Sequence, residues 1–229
     1  MLELEELLSY KVEKDKTKRM LFRDIINKYH KYKDYKDYPG RKIDYFVKLD
    51  GKVIGVIGIA SPMLAISARD NFIGWNKDIR IQNLQKVANN YRFCMIERGY
   101  GGKALSLLQH TCVKDWQAKY GYRLLMLETM VEPPFTGNVY KSAGWMSVGS
   151  TKGQSFKRRA SKGLLLRGSK KRAALTAAGK YEEGNYKHCG KSLIEQQVKV
   201  TPKIILLKPL HRAWKLYLNK DRTPKQSGV

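Results

Sequence analysis

The sequence is short of acid, of cysteine and of long apolar runs, and each shortage closes off a class of protein. Twenty Asp and Glu stand against 45 Lys and Arg, a formal charge of +25 over 229 residues. The three cysteines, Cys94, Cys112 and Cys189, are far apart and odd in number, with no Cys-x-x-Cys, so neither a disulfide framework nor a structural zinc site is expected. No run approaches the ~18 apolar residues of a membrane span. The longest candidates, Val53–Ala60 and Leu124–Leu127, are strand-sized. Met1–Leu8 holds three glutamates where a secretory signal has a basic segment ahead of an apolar one. A reducing, cytoplasmic setting is expected. The acids are scattered, which argues against a two-metal nuclease. No Ser-His-Asp or metal-ligand spacing stands out, and no metal is expected. What is present is core material: 42% of residues are hydrophobic and 10% aromatic.

The positive charge is uneven. Residues 1–150 hold 25 basic and 16 acidic side chains, and residues 151–229 hold 20 and 4. Lys152–Arg172 alone has nine basic residues and no acid. Such a block repels itself and suits a polyanion, because each neutralised phosphate releases counterions. Nucleic acid, DNA first, is the expected partner, and Lys157, Arg158, Arg159, Lys170, Lys171 and Arg172 are the expected contacts. The block lacks the apolar face that an anionic membrane would need. The plain alternative is a solubilising surface.

Apolar spacing reads the first ~35 residues as helix. Lys42–Leu49 and Lys52–Ala60 are strands joined by Asp50-Gly51, a two-residue hairpin signal. Asp78–Asn89 reads as helix, Tyr91–Ile96 as a buried strand, Glu97–Gly102 as a glycine turn and Lys103–Lys119 as helix. Tyr122–Val131 is a strand, Thr136–Ala143 a turn with a short helix, and Trp145–Gly149 a strand. Ile204–Leu207 and His211–Leu218 give a last strand and a basic helix. The order predicts an α/β chain with a mixed sheet flanked by helices. Residues 1–151 form its core, 152–200 a basic insertion, and 201–229 complete the core.

A strand that ends in a glycine turn opening a helix leaves unpaired amides at the helix N-terminus, which suit phosphate. The turn Arg98-Gly99-Tyr100-Gly101-Gly102-Lys103-Ala104 resembles the pyrophosphate-binding turn of the GNAT acyltransferases. Tyr140-Lys141-Ser142-Ala143-Gly144-Trp145 is similar to the tyrosine and aromatic strand near the end of GNAT domains. The resemblance implies a GNAT-like fold and acetyl-CoA or another acyl donor held by Arg98, Gly99, Gly101, Gly102 and Ser106. It also implies Tyr140 as general acid toward a leaving thiolate.

Further segments resemble a narrower family, the DruA proteins of Druantia anti-phage systems. They are Ala68–Trp75, Asn89–Phe93, Asp115-Trp116 with Tyr120–Tyr122, Leu127–Thr129, Phe135–Gly137, Val148–Gly153, Pro202-Lys203 and Lys208–Leu210 with Trp214. More distantly the layout is similar to the GNAT-like Mom proteins of phage, which modify adenine in DNA. Tyr29-His30, Arg92, Ser106, Glu128 and Tyr140 stand in the order of that family's functional residues.

Arg92 and Glu128 lie in strands that otherwise read as buried, and buried charges need partners. GNAT topology pairs those strands, so an Arg92–Glu128 ion pair is expected. It is either structural or a substrate anchor with a carboxylate poised as general base. Arg92, Glu128 and Tyr140 are the expected catalytic residues. Arg69 is an expected phosphate contact, with Asp70 orienting it. Trp75, Tyr140 and the tyrosine run at 29–38 are available to stack on a flipped base. Two readings stay open: a transferase that modifies a base, or a DNA-binding component whose GNAT-like scaffold lacks acyl chemistry.

If the basic block meets phosphate, replacing Lys157, Arg158 and Arg159 by Gln flattens the plot of log affinity for DNA against log salt. The slope falls by about 2 to 3. Titrations at three salt concentrations check it. An unchanged slope leaves the block as solubilising charge.

Overall fold

The computed structural model describes residues 1–6, 16–31, 33, 35, 38, 40–158 and 194–220. The chain divides into two compact units, Met1–Thr151 with Lys203–Val229, and Lys152–Pro202.

The first unit is built on a seven-stranded mixed sheet of order β1-β2-β3-β4-β5-β9-β6. Its strands are β1 (Leu2–Glu6), β2 (Lys42–Leu49), β3 (Lys52–Ala60), β4 (Val87–Met95), β5 (Met126–Val131), β6 (Met146–Ser150) and β9 (Ile204–Pro209). The hairpin β2–β3 follows the sequence signal. Asp50 and Gly51 both take positive φ, +49° and +78°, as a turn that matches strand twist requires. Every neighbouring pair is antiparallel except β4 and β5, which run parallel. Their connection is the long helix α4 (Gly101–Tyr120), closed by Gly121 at φ +79°. β9 comes from the far end of the chain and inserts between β5 and β6.

One face of the sheet packs against α4 and α5 (Asn138–Ser142). Leu105, Leu108, Cys112 and Trp116 meet Ile57, Leu127 and Leu206 there. The other face is covered in two parts. α1 (Lys16–Tyr29) sets Phe22, Ile25 and Ile26 on Phe46 and Val56. α2 (Ser67–Ile73), α3 (Lys77–Asn83) and α6 (Trp214–Leu218) cover Met126, Ile205 and Leu207. The second unit contributes a two-stranded ladder, β7 (Gln154–Arg158) with β8 (Ile194–Lys199).

Three expectations change. Leu2–Glu6 is strand, because Leu2 and Leu4 alternate with acids and pack on the core while pairing with β2. Of the expected helix, the described part is Lys16–Tyr29, and residues 7–15 lie outside the described residues. The helix expected over Asp78–Asn89 stops at Asn83, and Val87–Asn89 pair with β5 instead. There a sheet partner outweighs local periodicity, which short windows cannot separate. The basic helix expected at His211–Leu218 spans only Trp214–Leu218.

Leu108 is wholly enclosed between α4 and the sheet. Leu108→Ala therefore lowers the unfolding free energy by about 2–5 kcal/mol without changing its denaturant slope. Urea unfolding followed by far-UV circular dichroism measures both.

Candidate active-site cleft

The parallel pair is short. β4 and β5 are in register only from Val87–Met126 to Asn89–Glu128. Beyond that point β4 stays on β3 and β5 stays on β9, so the two strands part. Asn90 holds the fork. Its amide nitrogen donates to the carbonyls of Gly58 (2.9 Å) and Arg92 (2.8 Å). Its side-chain oxygen accepts from the Tyr140 hydroxyl at 2.7 Å, and its main-chain oxygen accepts from Thr129 Oγ1 at 3.0 Å. Backbone groups that a sheet would have paired are thus satisfied by side chains, as buried polar groups require.

Below the fork opens a cleft of about 640 Å³. Its walls are the diverging strands, residues 89–95 and 129–132, closed by the end of α1 and by residues 135–140. Tyr29, His30, Arg92 and Tyr140, four residues singled out by sequence, line it together. Tyr140 packs on Trp145 and Phe93, and burial raises its phenol well above the usual tyrosine range. The hydroxyl therefore keeps its proton. Arg92 projects where β4 bulges opposite Gly58 and Ile59. Its Nη1 donates to the Tyr91 carbonyl at 2.8 Å, its guanidinium lies over the Tyr91 and Tyr35 rings, and its Nε is buried without a hydrogen-bond partner. Cys94 also faces the cleft, but burial pushes its thiol up to about 11, so it is no thiolate at neutral pH.

The expected Arg92–Glu128 ion pair does not form. Glu128 lies opposite Asn89, not Arg92, and β4 and β5 have begun to part before Arg92 is reached. Glu128 instead accepts from Arg69 Nη1 at 2.7 Å and from the Met63 amide at 2.8 Å. Arg69 is fully buried and Glu128 only 1% exposed. Asp70 completes the network, with Arg69 Nε at 2.9 Å and Arg80 Nη1 at 3.0 Å. Arg69 Nη2 is 2.8 Å from Asp70 Oδ1 but off the line of a hydrogen bond, so its charge is paired and its N–H is not. Burial raises the Glu128 carboxyl, and Arg69 opposes that rise. Glu128 is not in the cleft wall, and an enclosed Arg69 offers nothing to phosphate. Both are therefore structural charges. Trp75 is buried as well, its Nε1 donating to the Leu218 carbonyl, and it cannot stack on a base.

The glycine turn lies beside the cleft. A Cβ on Gly101 would meet Val139 at 2.7 Å and Phe93 at 3.2 Å, and one on Gly102 would meet Ser142 Oγ at 2.9 Å. Gly101 is thus needed for α5 to dock on α4, whereas at Gly102 the exposed Ser142 hydroxyl can turn aside. Gly99 supplies the turn at φ +89°. The first amides of α4 carry no side-chain cap and no acid in the first turn, and among the described residues no backbone carbonyl accepts from Gly101, Gly102 or Lys103. Those orphan donors, with Arg98 and Lys103, suit an anion. Ser106 is exposed one turn further on, outside the cleft wall. Arg159, Lys170, Lys171 and Arg172 lie outside the described residues, and Lys157 and Arg158 are placed only as backbone in β7.

A mixed sheet that opens between two parallel strands, with a glycine turn leading into the helix between them, is a GNAT-like fold. Residues 4–162, more than two thirds of the chain, match the family described as Druantia protein DruA, and the chain belongs to that family. Among solved structures it is similar to the ribosomal-protein-S18-alanine N-acetyltransferase from Escherichia coli, at 12% identity and TM-score 0.44, covering 93% of this chain and 96% of that one. It is similar to a Bacillus subtilis acetyltransferase in complex with CoA, at 11% and 0.43, covering 91% and 99%. It is also similar to the aminoglycoside acetyltransferase AAC(6')-Ib in complex with coenzyme A, at 12% and 0.49, covering 95% and 98%. No curated protein matches it. No helix among the described residues is long and apolar enough to cross a membrane.

Removing one partner of the buried network leaves the other charge stranded. Arg69→Ala costs about 3–5 kcal/mol of stability. Without Arg69 the folded pKa of Glu128 climbs further above its unfolded value of 4.5. The variant's deficit relative to wild type therefore grows with pH above the already raised folded pKa of wild-type Glu128 and levels off once the variant's own folded pKa is passed. Urea unfolding at pH 4.5, 6 and 8 measures it. Arg92→Ala, read the same way, lacks that pH-dependent deficit.

Proposed function

We propose that the chain is a group-transfer enzyme acting on a base of nucleic acid, with its chemistry in the β4–β5 cleft. The observation that carries the proposal is the convergence of Arg92 and Tyr140 on one enclosed space. One supplies a guanidinium with no carboxylate among its described contacts, the other a buried phenol that holds its proton. The net charge of +25 supports a polyanionic substrate.

The residues fit an acyl-CoA in two places. The parted strands leave their facing edges unpaired beyond Asn89 and Glu128, where an extended amide-bearing arm could pair. The uncapped start of α4, with Arg98 and Lys103, would hold phosphates. When bound, such a donor supplies an activated carbonyl. Arg92 then steadies a developing negative oxygen or an anionic group of the substrate. Tyr140 holds a proton at its hydroxyl oxygen, and Asn90, accepting from it, fixes that hydroxyl. Phe93, Val139 and Tyr91 shield the space from water. A second reading, a non-catalytic DNA-binding component, is favoured by one observation. Gly101 is already accounted for by the docking of α5.

Mass spectrometry of nucleosides from DNA of cells expressing the protein tests the reading. A new adduct is expected with wild type and lost with Tyr140→Phe and Arg92→Ala, both of which retain DNA affinity. DNA without adduct, together with no thermal shift from acetyl-CoA, favours the second reading.

A further inference from the structure

The cleft has a mouth, and the mouth is unlike its interior. Phe135 stands there 57% exposed, although it belongs to the cleft wall. A single exposed apolar side chain is ordinary. What sets Phe135 apart is its neighbours. Lys31 Nζ lies 5.6 Å from the centre of its ring and donates to the Pro133 carbonyl at 2.7 Å. That bond ties the loop carrying Phe135 to the end of α1, across the opening. Glu132 sits between two lysines, 3.0 Å from Lys203 Nζ and 3.9 Å from Lys31 Nζ. The mouth thus presents an aromatic face flanked by two ammonium groups that share one carboxylate. Deeper in, Arg92 lines the cleft, its Nη1 held by the Tyr91 carbonyl at 2.8 Å.

A base buried in a duplex stack shows only its edges. A ring face is available only when the base is unpaired or turned out. Base–aromatic stacking beside cationic groups is how single strands are held. Lysines that share the single Glu132 carboxylate can exchange it for phosphate, one anion for another.

Resting on the reading of the substrate as nucleic acid, we propose that this mouth captures one unpaired nucleotide. Its base stacks on Phe135, its flanking phosphates meet Lys31 and Lys203, and the Arg92 guanidinium meets the edge that enters the cleft. The substrate is then single-stranded nucleic acid, not an intact duplex.

The test is fluorescence anisotropy of the full chain with a labelled 12-nucleotide single strand and with the blunt duplex of the same sequence. Phe135→Ala should weaken single-strand binding about 5- to 100-fold. Phe135→Trp should restore it, and duplex affinity, carried by phosphate contacts, should stay within a factor of two. An unchanged melting temperature shows that both variants fold. Equal single-strand affinity in Phe135→Ala and wild type overturns the inference, as does a parallel loss on duplex. A wild-type chain that binds neither form overturns the underlying nucleic-acid reading as well.

Discussion

The fork at Asn90 is the constraint on which the rest depends. Two parallel strands in a sheet ordinarily pair to their ends, since unpaired backbone groups are costly to bury. Here they pair over three residues and separate. The separation is sustained because Asn90 uses both ends of its amide and its own carbonyl to bind Gly58, Arg92, Tyr140 and Thr129. The bulge just beyond it swings Tyr91 over Gly58. A Cβ on Gly58 would stand 2.5 Å from that ring, so only glycine admits it. Tyr91 then reaches Asp44, donating at 2.7 Å. One asparagine and one glycine therefore decide that the sheet contains a cleft and that Arg92 points into it.

The buried charges divide by task. Arg69, Asp70, Arg80 and Glu128 neutralise one another behind β5 and bind α2, α3 and the sheet together. Breaking such a network is expensive because the survivor is stranded, not because the pair itself is strongly favourable. Arg92, by contrast, has aromatic rings and a carbonyl around it and no carboxylate among its described contacts. An arginine so placed is pre-set for an external anion or a polarised oxygen. The separation of structural from available charge lets the cleft be positive without weakening the fold.

Much of the scaffold was legible because it is local. Asp50-Gly51 dictates its hairpin, Gly121 its helix end, and the strand, turn and helix from Tyr91 to Lys119 follow from apolar spacing. The neighbourhood of β4 and β5 was legible through resemblance. Their register was not. Placing Glu128 opposite Asn89 depends on where the strands begin to part, and that is set by side-chain bonds between residues 39 and 50 positions apart. Arg69 was misjudged for the same reason: a charged residue in a short helix reads as surface until the strand that buries it is known. Asn90, Thr129 and Phe135 went unremarked as site residues. Amides and hydroxyls carry no spacing signal, and an exposed phenylalanine acquires meaning only from the lysine above it.

The central claim is that ligand engages the parted strands of the cleft and not merely the basic segment. Amide hydrogen exchange with and without a short unpaired oligonucleotide tests it most directly. The account predicts slowed exchange in residues 91–95 and 129–131, where the facing edges of β4 and β5 lack strand partners. Protection confined to residues 152–202, with the cleft amides unchanged, would contradict it.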